Sequence, residues 1–217
     1  MNPLKLYYSP GACSLAAHIT LEEIGEPYEA ERIVIADGAN RTPEYLAINP
    51  HGRVPALRIR DGGKDQVLTE LTAILLFLAR RHPVARLIPE DSEGFMRTVE
   101  WLSWLATTVH QTGVRMMLKP SRFASGAACE AQVAASGRSI VEPAFAEIDA
   151  RLRGRDWMVG DHFTVVDAFL LVFFRWGGYR LHLPMREPYP EYARVMDRVR
   201  ARPAVAKVIA EEGIRIE

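Results

Sequence analysis

The first third of the chain contains short runs in which hydrophobic and polar positions alternate, separated by segments with helical spacing. Alternation with a period of two is typical of strands, whereas apolar residues that recur every three or four positions indicate a helix. In chain order, the pattern predicts a strand at 4–8, a helix at 15–24, a strand at 28–35 and a short helical turn at 43–48.

A β-hairpin and one more helix complete this part of the chain. Predicted strands at 54–60 and 66–68 flank Asp61-Gly62-Gly63-Lys64, whose Asp-Gly start is a strong turn signal. A helix at 70–82 follows and ends before Pro83, because the residue before a proline resists helical geometry. This order of elements predicts a small mixed sheet with helices packed on its faces.

Beyond Pro83 the spacing is helical and no strand pattern stands out. The predicted helices lie at 93–118, 127–152, 165–176, 189–201 and 204–212. We therefore predict an α/β domain at 1–82, a linker at 83–92 and an all-helical domain at 93–217. Within the latter, Thr164-Val165-Val166-Asp167 predicts a capping box, which we assign to folding and not to catalysis.

Composition and charge narrow the function classes. The 217 residues are 48% hydrophobic and 25% charged, which is typical of a soluble globular protein with a substantial core. Lys plus Arg equals Asp plus Glu at 27 each, so no overall basic excess points to nucleic acid or to an anionic membrane. The apolar stretch at 165–174 contains Asp167 and is shorter than the roughly 20 residues of a membrane helix, so we expect no membrane span. Residues 1–5 lack a secretion-signal pattern, and a cytoplasmic location is the default expectation.

The two cysteines, Cys13 and Cys129, lie far apart in the sequence and form no metal-ligand cluster. We expect no metal site, and a reducing compartment instead of a disulfide scaffold. Cys13 and Ser14 open the helix that follows the first strand, where backbone N–H groups stabilise negative charge and favour a reactive thiolate. The alternative, a small buried residue that closes the strand–helix turn, has equal weight on the local sequence.

Val54-Pro55 stands at the entry to a strand, a position that tolerates proline. A cis bond would turn the Val54 N–H and C=O outward, ready to pair with an extended peptide. Since only about 5–6% of such bonds are cis in folded proteins, spacing alone favours trans.

Glu70-Leu71-Thr72 begins a helix directly after the hairpin. Unpaired N–H groups there would receive a carboxylate, and the Glu70 side chain would receive an ammonium, as an amino-acid head group requires. The commoner alternative is that Thr69 or Glu70 caps the helix.

Together these motifs resemble those of the glutathione transferases, across nearly the whole chain. The motifs are Cys13 after a strand and turn, Asn49-Pro50-His51-Gly52-Arg53-Val54-Pro55, Leu68-Thr69-Glu70 entering a helix, and a helical C-terminal half. The run at 8–15 is similar to the bacterial beta class. The resemblance implies a thioredoxin-like N-terminal domain and a homodimer. It also implies glutathione as co-substrate along Arg53-Val54-Pro55, with cis Pro55 and the γ-glutamyl head at Glu70, Leu71 and Thr72.

The resemblance also implies roles for individual residues. In the beta class the cysteine contacts or covalently binds the glutathione sulfur, and a histidine of the helical domain approaches it. These roles fall on Cys13, with Ser14 beside it, and on His110. Helical spacing sets His110 on one stripe with Ser103, Ala106 and Thr107, although a lone histidine on such a helix is more often a core or surface residue.

The sequence departs from the family pattern at several positions. Leu71 stands where a serine usually holds the γ-glutamyl carboxylate, so we expect weaker binding unless Thr72 compensates. Gln111 stands where the beta class often has lysine. The lysine that reaches the glycine carboxylate has no counterpart at 33–50, and Arg41 or Arg53 is the candidate substitute. We expect the electrophile pocket around Ser103, Thr107, Gln111, Arg115, Met116 and Met117.

The sequence thus predicts a cytosolic detoxification enzyme that conjugates glutathione to small apolar electrophiles. Tyr7 or Tyr8 is the alternative activator of the thiol. Two other functions stay open. One is a glutathione-dependent thiol reductase or dehalogenase, which would borrow an external thiol because no second cysteine follows Cys13 three residues on. The other is a non-enzymatic binding or stress-related scaffold.

Overall fold

The structure is a computed structural model that describes residues 4–61 and 63–217. The chain divides into two compact units, Met1–Ile88 with Val199–Arg215 and Pro89–Arg198 with Ile216–Glu217. Residues 1–5, tested above for a secretion signal, and the predicted turn at 61–64 each fall partly outside the described residues.

One four-stranded sheet forms the centre of the first unit. Its strands are β1 (Leu4–Tyr8), β2 (Glu29–Arg32), β3 (Ala56–Asp61) and β4 (Lys64–Thr69), in the order β2-β1-β3-β4. β1 pairs parallel with β2 and antiparallel with β3, and β3 and β4 form the hairpin. The predicted mixed sheet is confirmed. β2 is shorter than the predicted strand because the chain enters a 3₁₀ turn at Ile35–Asp37.

Three helices of the first unit lie between or directly after these strands in the chain. They are α1 (Ser14–Ile24), α2 (Pro43–Ile48) and α3 (Leu71–Arg81). α1 is buried without a break from Ser14 to Leu21, so its start is fixed in the core. α3 ends at Arg81, two residues before Pro83, as the sequence predicts.

The second unit is helical. Its helices are α4 (Ser92–Trp104), α5 (Arg115–Leu118), α6 (Ala127–Leu152), α7 (Val165–Arg175) and α8 (Pro190–Arg200). The helix predicted at 93–118 is not uniform, because Leu105–Val114 winds as wide π-helical turns between α4 and α5. Gly113 lets this segment approach α6, since a Cβ there would lie 2.7 Å from Cγ2 of Val141. Every residue of α7 is buried, and no helix in the described part of the chain is both long and apolar enough to cross a bilayer.

The last helix, α9 (Pro203–Glu212), belongs to the first unit and departs from the predicted domain at 93–217. Ion pairs attach it to α1: the Arg202 guanidinium lies 2.6 and 2.7 Å from the two carboxylate oxygens of Glu23, and Lys207 pairs with Glu22. Helical periodicity predicts that this helix exists, but not which helix it contacts.

The predicted capping box at the start of α7 is confirmed. Asp167 Oδ2 accepts the Thr164 N–H at 2.8 Å and its hydroxyl at 3.1 Å, while Oδ1 accepts the Met158 N–H at 2.9 Å. Burial raises the pKa of the Asp167 carboxyl to about 6, although these hydrogen bonds act in the opposite direction.

We expect Asp167→Asn to lower the free energy of unfolding by about 1–3 kcal/mol, because one amide oxygen cannot serve both buried N–H groups. Since the folded-state pKa is raised, the folded chain takes up the proton first. The wild type should therefore gain stability over the variant as the pH falls from about 6 towards 4. Urea unfolding at both pH values measures this difference.

The matched control is Asp37→Asn, which removes the same charge from an exposed 3₁₀ turn and should change stability by less than about 0.5 kcal/mol. If Asp167→Asn unfolds at the same urea concentration as the wild type, the capping box does not stabilise the fold as argued.

Candidate functional site

The turn between β1 and α1 places Cys13 at the start of the first helix. Gly11 supplies a left-handed backbone with a φ of 64°, and the Ala12 N–H closes the turn on the Ser9 carbonyl at 3.0 Å. Cys13 occupies the N-cap position in a helical conformation, and its side chain makes no capping hydrogen bond. The thiol therefore does not cap the start of the helix.

The Cys13 thiol lies against the backbone that precedes Pro55. Its Sγ is 3.5 Å from the Val54 carbonyl oxygen, 41 residues away in the chain. The Val54-Pro55 bond is cis, as the resemblance implies and as spacing alone did not favour. In the described part of the chain, the Val54 N–H has no hydrogen-bond partner. The thiol and an unpaired backbone group thus lie close together just before β3, an inner strand of the sheet.

Side chains from α2 and from the turns before and after it hold this backbone in place. The Arg53 carbonyl accepts from the Tyr45 hydroxyl and from Asn49 Nδ2, both at 2.7 Å, and Asn40 Nδ2 donates to the Gly52 carbonyl at 2.7 Å. Burial raises the pKa of Tyr45 to about 12, so its hydroxyl remains a neutral donor. Sequence reasoning identified the turn at 49–52 but missed these amide and hydroxyl contacts, since a partner several residues away leaves no spacing signal.

The positively charged Arg41 side chain lies next to the same loop. Gly52 has a φ of 59°, and a Cβ there would lie 2.8 Å from both Arg41 Nη1 and the Asn40 carbonyl oxygen. The Arg41 guanidinium therefore passes within contact of the backbone two residues before Val54. Arg53, the other candidate for a carboxylate partner, is exposed on the loop itself.

Glu70 lies at the end of β4 in a strained backbone conformation. Its φ of 67° is left-handed, which is uncommon for a residue other than glycine and often marks a functional site. Although Glu70 occupies the N-cap of α3, its side chain does not cap the helix. The predicted alternative of a simple Glu70 cap is therefore wrong, and the first N–H groups of α3, at Leu71 and Thr72, stay without a side-chain cap. Leu71 is 8% exposed, so its side chain packs in the core.

Three other candidates near Cys13, namely Ser14, Tyr7 and Tyr8, are less suited to meet a ligand. The buried Ser14 hydroxyl donates to the Ser9 carbonyl at 3.2 Å and accepts the Ser9 N–H at 3.1 Å, which ties it to the turn. Tyr7 belongs to the core cluster that includes Val54. Burial raises the pKa of Tyr8, so its phenol stays protonated near neutral pH and is not available as a base. The geometry favours Cys13 over all three as the group that meets a ligand.

The remaining predicted site residues lie in the second unit. The half-buried His110 ring packs against Trp176 at 4.9 Å and Phe173 at 6.2 Å between centroids, as the core alternative predicts. Ser103, Thr107 and Gln111 are exposed, and Arg115, Met116 and Met117 are half-buried. This segment includes the π-helical turns, which recur at functional sites in other proteins. Among the described residues, no group of His, Cys, Asp and Glu side chains is suited to hold a metal ion.

Comparison with known proteins gives consistent matches over the whole chain. The family models "Glutathione S-transferase, N-terminal domain" and "Glutathione S-transferase, C-terminal domain" match residues 11–81 and 105–203. The chain is 33% identical to glutathione S-transferase GstA of Escherichia coli O157:H7, over 98% of this chain and 100% of that protein.

Two solved bacterial structures are similar to the fold. A glutathione transferase homologue from Sulfitobacter with bound glutathione has a TM-score of 0.88 at 30% identity, and covers 99% of this chain and 100% of its own. The beta class enzyme of Sphingomonas chungbukensis has a TM-score of 0.78 at 31% identity, with 97% and 100% covered.

We expect Asn49→Ala to destabilise the fold by about 1–3 kcal/mol, because the buried amide bridges the Arg53 carbonyl and the His51 N–H. The midpoint of equilibrium urea unfolding measures the change. His51→Ala, which leaves that backbone contact intact on an exposed residue, should shift the midpoint little. Equal midpoints for the two variants would contradict a structural role for the amide.

Proposed function

The chain belongs to the glutathione S-transferase family, and we propose that it binds reduced glutathione on the first unit and conjugates it to small apolar electrophiles. The observation that carries this proposal is the position of the Cys13 thiol, 3.5 Å from the carbonyl of Val54 at a cis Pro55. An extended peptide that pairs with the Val54 backbone would bring its own sulfur next to Cys13.

The polar groups around the Val54 backbone suit the three parts of glutathione. The Val54 N–H and C=O suit the backbone of the cysteinyl residue. The Glu70 carboxylate suits the α-ammonium of the γ-glutamyl head, and the first N–H groups of α3 suit its carboxylate. Arg41, beside Gly52, is our candidate for the glycine carboxylate, with Arg53 as the second candidate.

The reaction we propose is nucleophilic substitution or addition. The glutathione thiol loses its proton to solvent, and the thiolate sulfur forms a bond to an electrophilic carbon. In substitution the leaving group departs with its bonding electron pair, and in addition the electrophile takes up a proton. Cys13, at the start of α1, would stabilise the sulfur anion by a hydrogen bond or form a mixed disulfide with an oxidised glutathione.

The other parts of the proposal rest on the family. We place the electrophile near Ser103, Thr107, Gln111 and Arg115, with His110 as a polarising group. A homodimer and a cytoplasmic location complete it. Light scattering of the purified chain tests the dimer.

Calorimetry with reduced glutathione tests the function most directly. We expect binding with a Kd below about 1 mM, which corresponds to roughly 4 kcal/mol of binding free energy. Cys13→Ala should lower the rate of conjugation to 1-chloro-2,4-dinitrobenzene by about tenfold or more, because a donor to the sulfur anion is lost. Mass spectrometry should also show no mixed disulfide on this variant.

Cys129→Ala, which removes the exposed cysteine of α6, is the matched control and should behave as the wild type. Unchanged conjugation by Cys13→Ala would remove the thiol from the reaction. Faster reduction of hydroxyethyl disulfide than conjugation would favour a thiol reductase. No binding at millimolar glutathione would leave only a scaffold.

Leu71 provides a test of the head-group site. We expect Leu71→Ser to tighten glutathione binding about tenfold, because the added hydroxyl donates to the γ-glutamyl carboxylate. Titration calorimetry measures the change. Leu71→Ala removes the same apolar bulk without a hydroxyl and should bind no tighter than the wild type. If serine and alanine have equal effects, the carboxylate does not lie at the start of α3.

A further inference from the structure

A carboxylate from the last helix of the chain enters the turn that carries Cys13. Glu212 Oε2 accepts the Gly11 N–H at 2.7 Å, across 201 residues of sequence. Gly11 is buried and lies two residues before Cys13. A buried N–H that loses its partner carries a large desolvation cost, so this contact constrains the turn strongly.

The carboxylate is itself held in place on its other side. Glu212 Oε1 lies 2.9 Å from Nδ1 of His18, and the carboxylate and the imidazole are almost completely buried. The His18 ring packs against Tyr8 at a tilt of 46°, with a centroid distance of 4.8 Å. In the described residues His18 Nε2 has no hydrogen-bond partner and is 3.6 Å from a Glu211 oxygen. The Nδ1 contact with Glu212 thus sets the orientation of the ring.

We propose that Glu212, oriented by His18, is a positioning residue for Cys13, and that α9 thereby forms part of the glutathione site. The proposal rests on the function proposed above. The carboxylate fixes the position of Gly11. Because only Ala12 separates Gly11 from Cys13, the position of Cys13 at the N-cap of α1 is constrained as well. α9 approaches antiparallel to α1, since contacts pass from Glu23 to Glu22 to His18 as the α9 numbering rises from 202 to 212.

The geometry distinguishes this role from that of a simple stabilising contact. The hydrogen bonds that Ser9, Ala12 and Ser14 make to one another lie within the same local segment, and the Cys13 thiol contacts the Val54 carbonyl. Glu212 acts from a different helix, so it fixes the turn relative to the body of the unit. If it served stability alone, its loss would lower the unfolding midpoint without changing the chemistry of Cys13 in the folded chain.

The test uses a Cys129→Ala background, in which iodoacetamide reports on Cys13 alone. Glu212→Ala should slow alkylation of Cys13 at pH 7 and weaken glutathione binding, each by about tenfold, because a charge-assisted hydrogen bond to the turn is lost. Glu212→Gln keeps an oxygen that accepts the Gly11 N–H and an NH2 group that can donate to Nδ1 of the other His18 tautomer. Its alkylation rate and its glutathione affinity should therefore stay within about twofold of the background protein. Glu211→Ala, one residue earlier and 44% exposed, is the matched control and should also stay within that range.

A folded Glu212→Ala variant with unchanged alkylation and binding would overturn the proposal, as would an equal loss in the glutamine variant. Should the alanine variant not fold, glycine-labelled wild-type protein provides the second measurement. Its Gly11 amide proton should exchange slowly and resonate downfield, and rapid exchange would overturn the proposal. Failure of the wild type to bind glutathione would refute the proposed function, whereas the alkylation rates would still test the positioning role.

Discussion

Buried backbone groups that leave regular structure must find hydrogen-bond partners, and this constraint shapes the junction between β1 and α1. The chain reverses there within four residues, and Ser9 and Gly11 are buried, so their backbone groups need hydrogen-bond partners from the protein. Ser14 satisfies Ser9 from within the turn, and Glu212 satisfies Gly11 from the last helix. The position of Cys13 follows from both contacts.

Two buried carboxylates illustrate how far sequence reasoning extends. Asp167 accepts hydrogen bonds from Thr164 three residues earlier, and this spacing is a known helix-start pattern that the sequence reveals. Glu212 serves partners 194 and 201 residues away, and nothing in the local sequence distinguishes it from the exposed Glu211. Local partners leave a periodic signal, whereas partners brought together by tertiary packing do not.

The same difference between local and tertiary partners explains which other features the sequence predicts. The order of elements along the chain, the hairpin, the α/β and helical parts and most helix limits follow from hydrophobic periodicity and proline positions, whereas the strand order within the sheet does not. The π-helical turns at 105–114 approach α6 at Gly113, and α9 contacts α1 through ion pairs, and both are tertiary contacts without a local signal. In the site, Cys13, Val54 and Glu70 stand out through motifs. Arg41 is a candidate from the sequence, but its approach to Gly52, like the contacts of the Asn49 amide, becomes visible only when the loop is folded.

The head-group region shows how core packing and ligand binding compete at one position. Glu70 adopts a left-handed backbone, a strain of about 1–3 kcal/mol that the surrounding strand and helix must offset. Leu71 follows directly and places its side chain in the core, which stabilises the start of α3 by burial. A serine there would bond a carboxylate but bury less apolar surface. The leucine therefore anchors the strained residue more firmly, and in the proposed site recognition of the carboxylate would fall to the N–H groups of α3 and to Thr72.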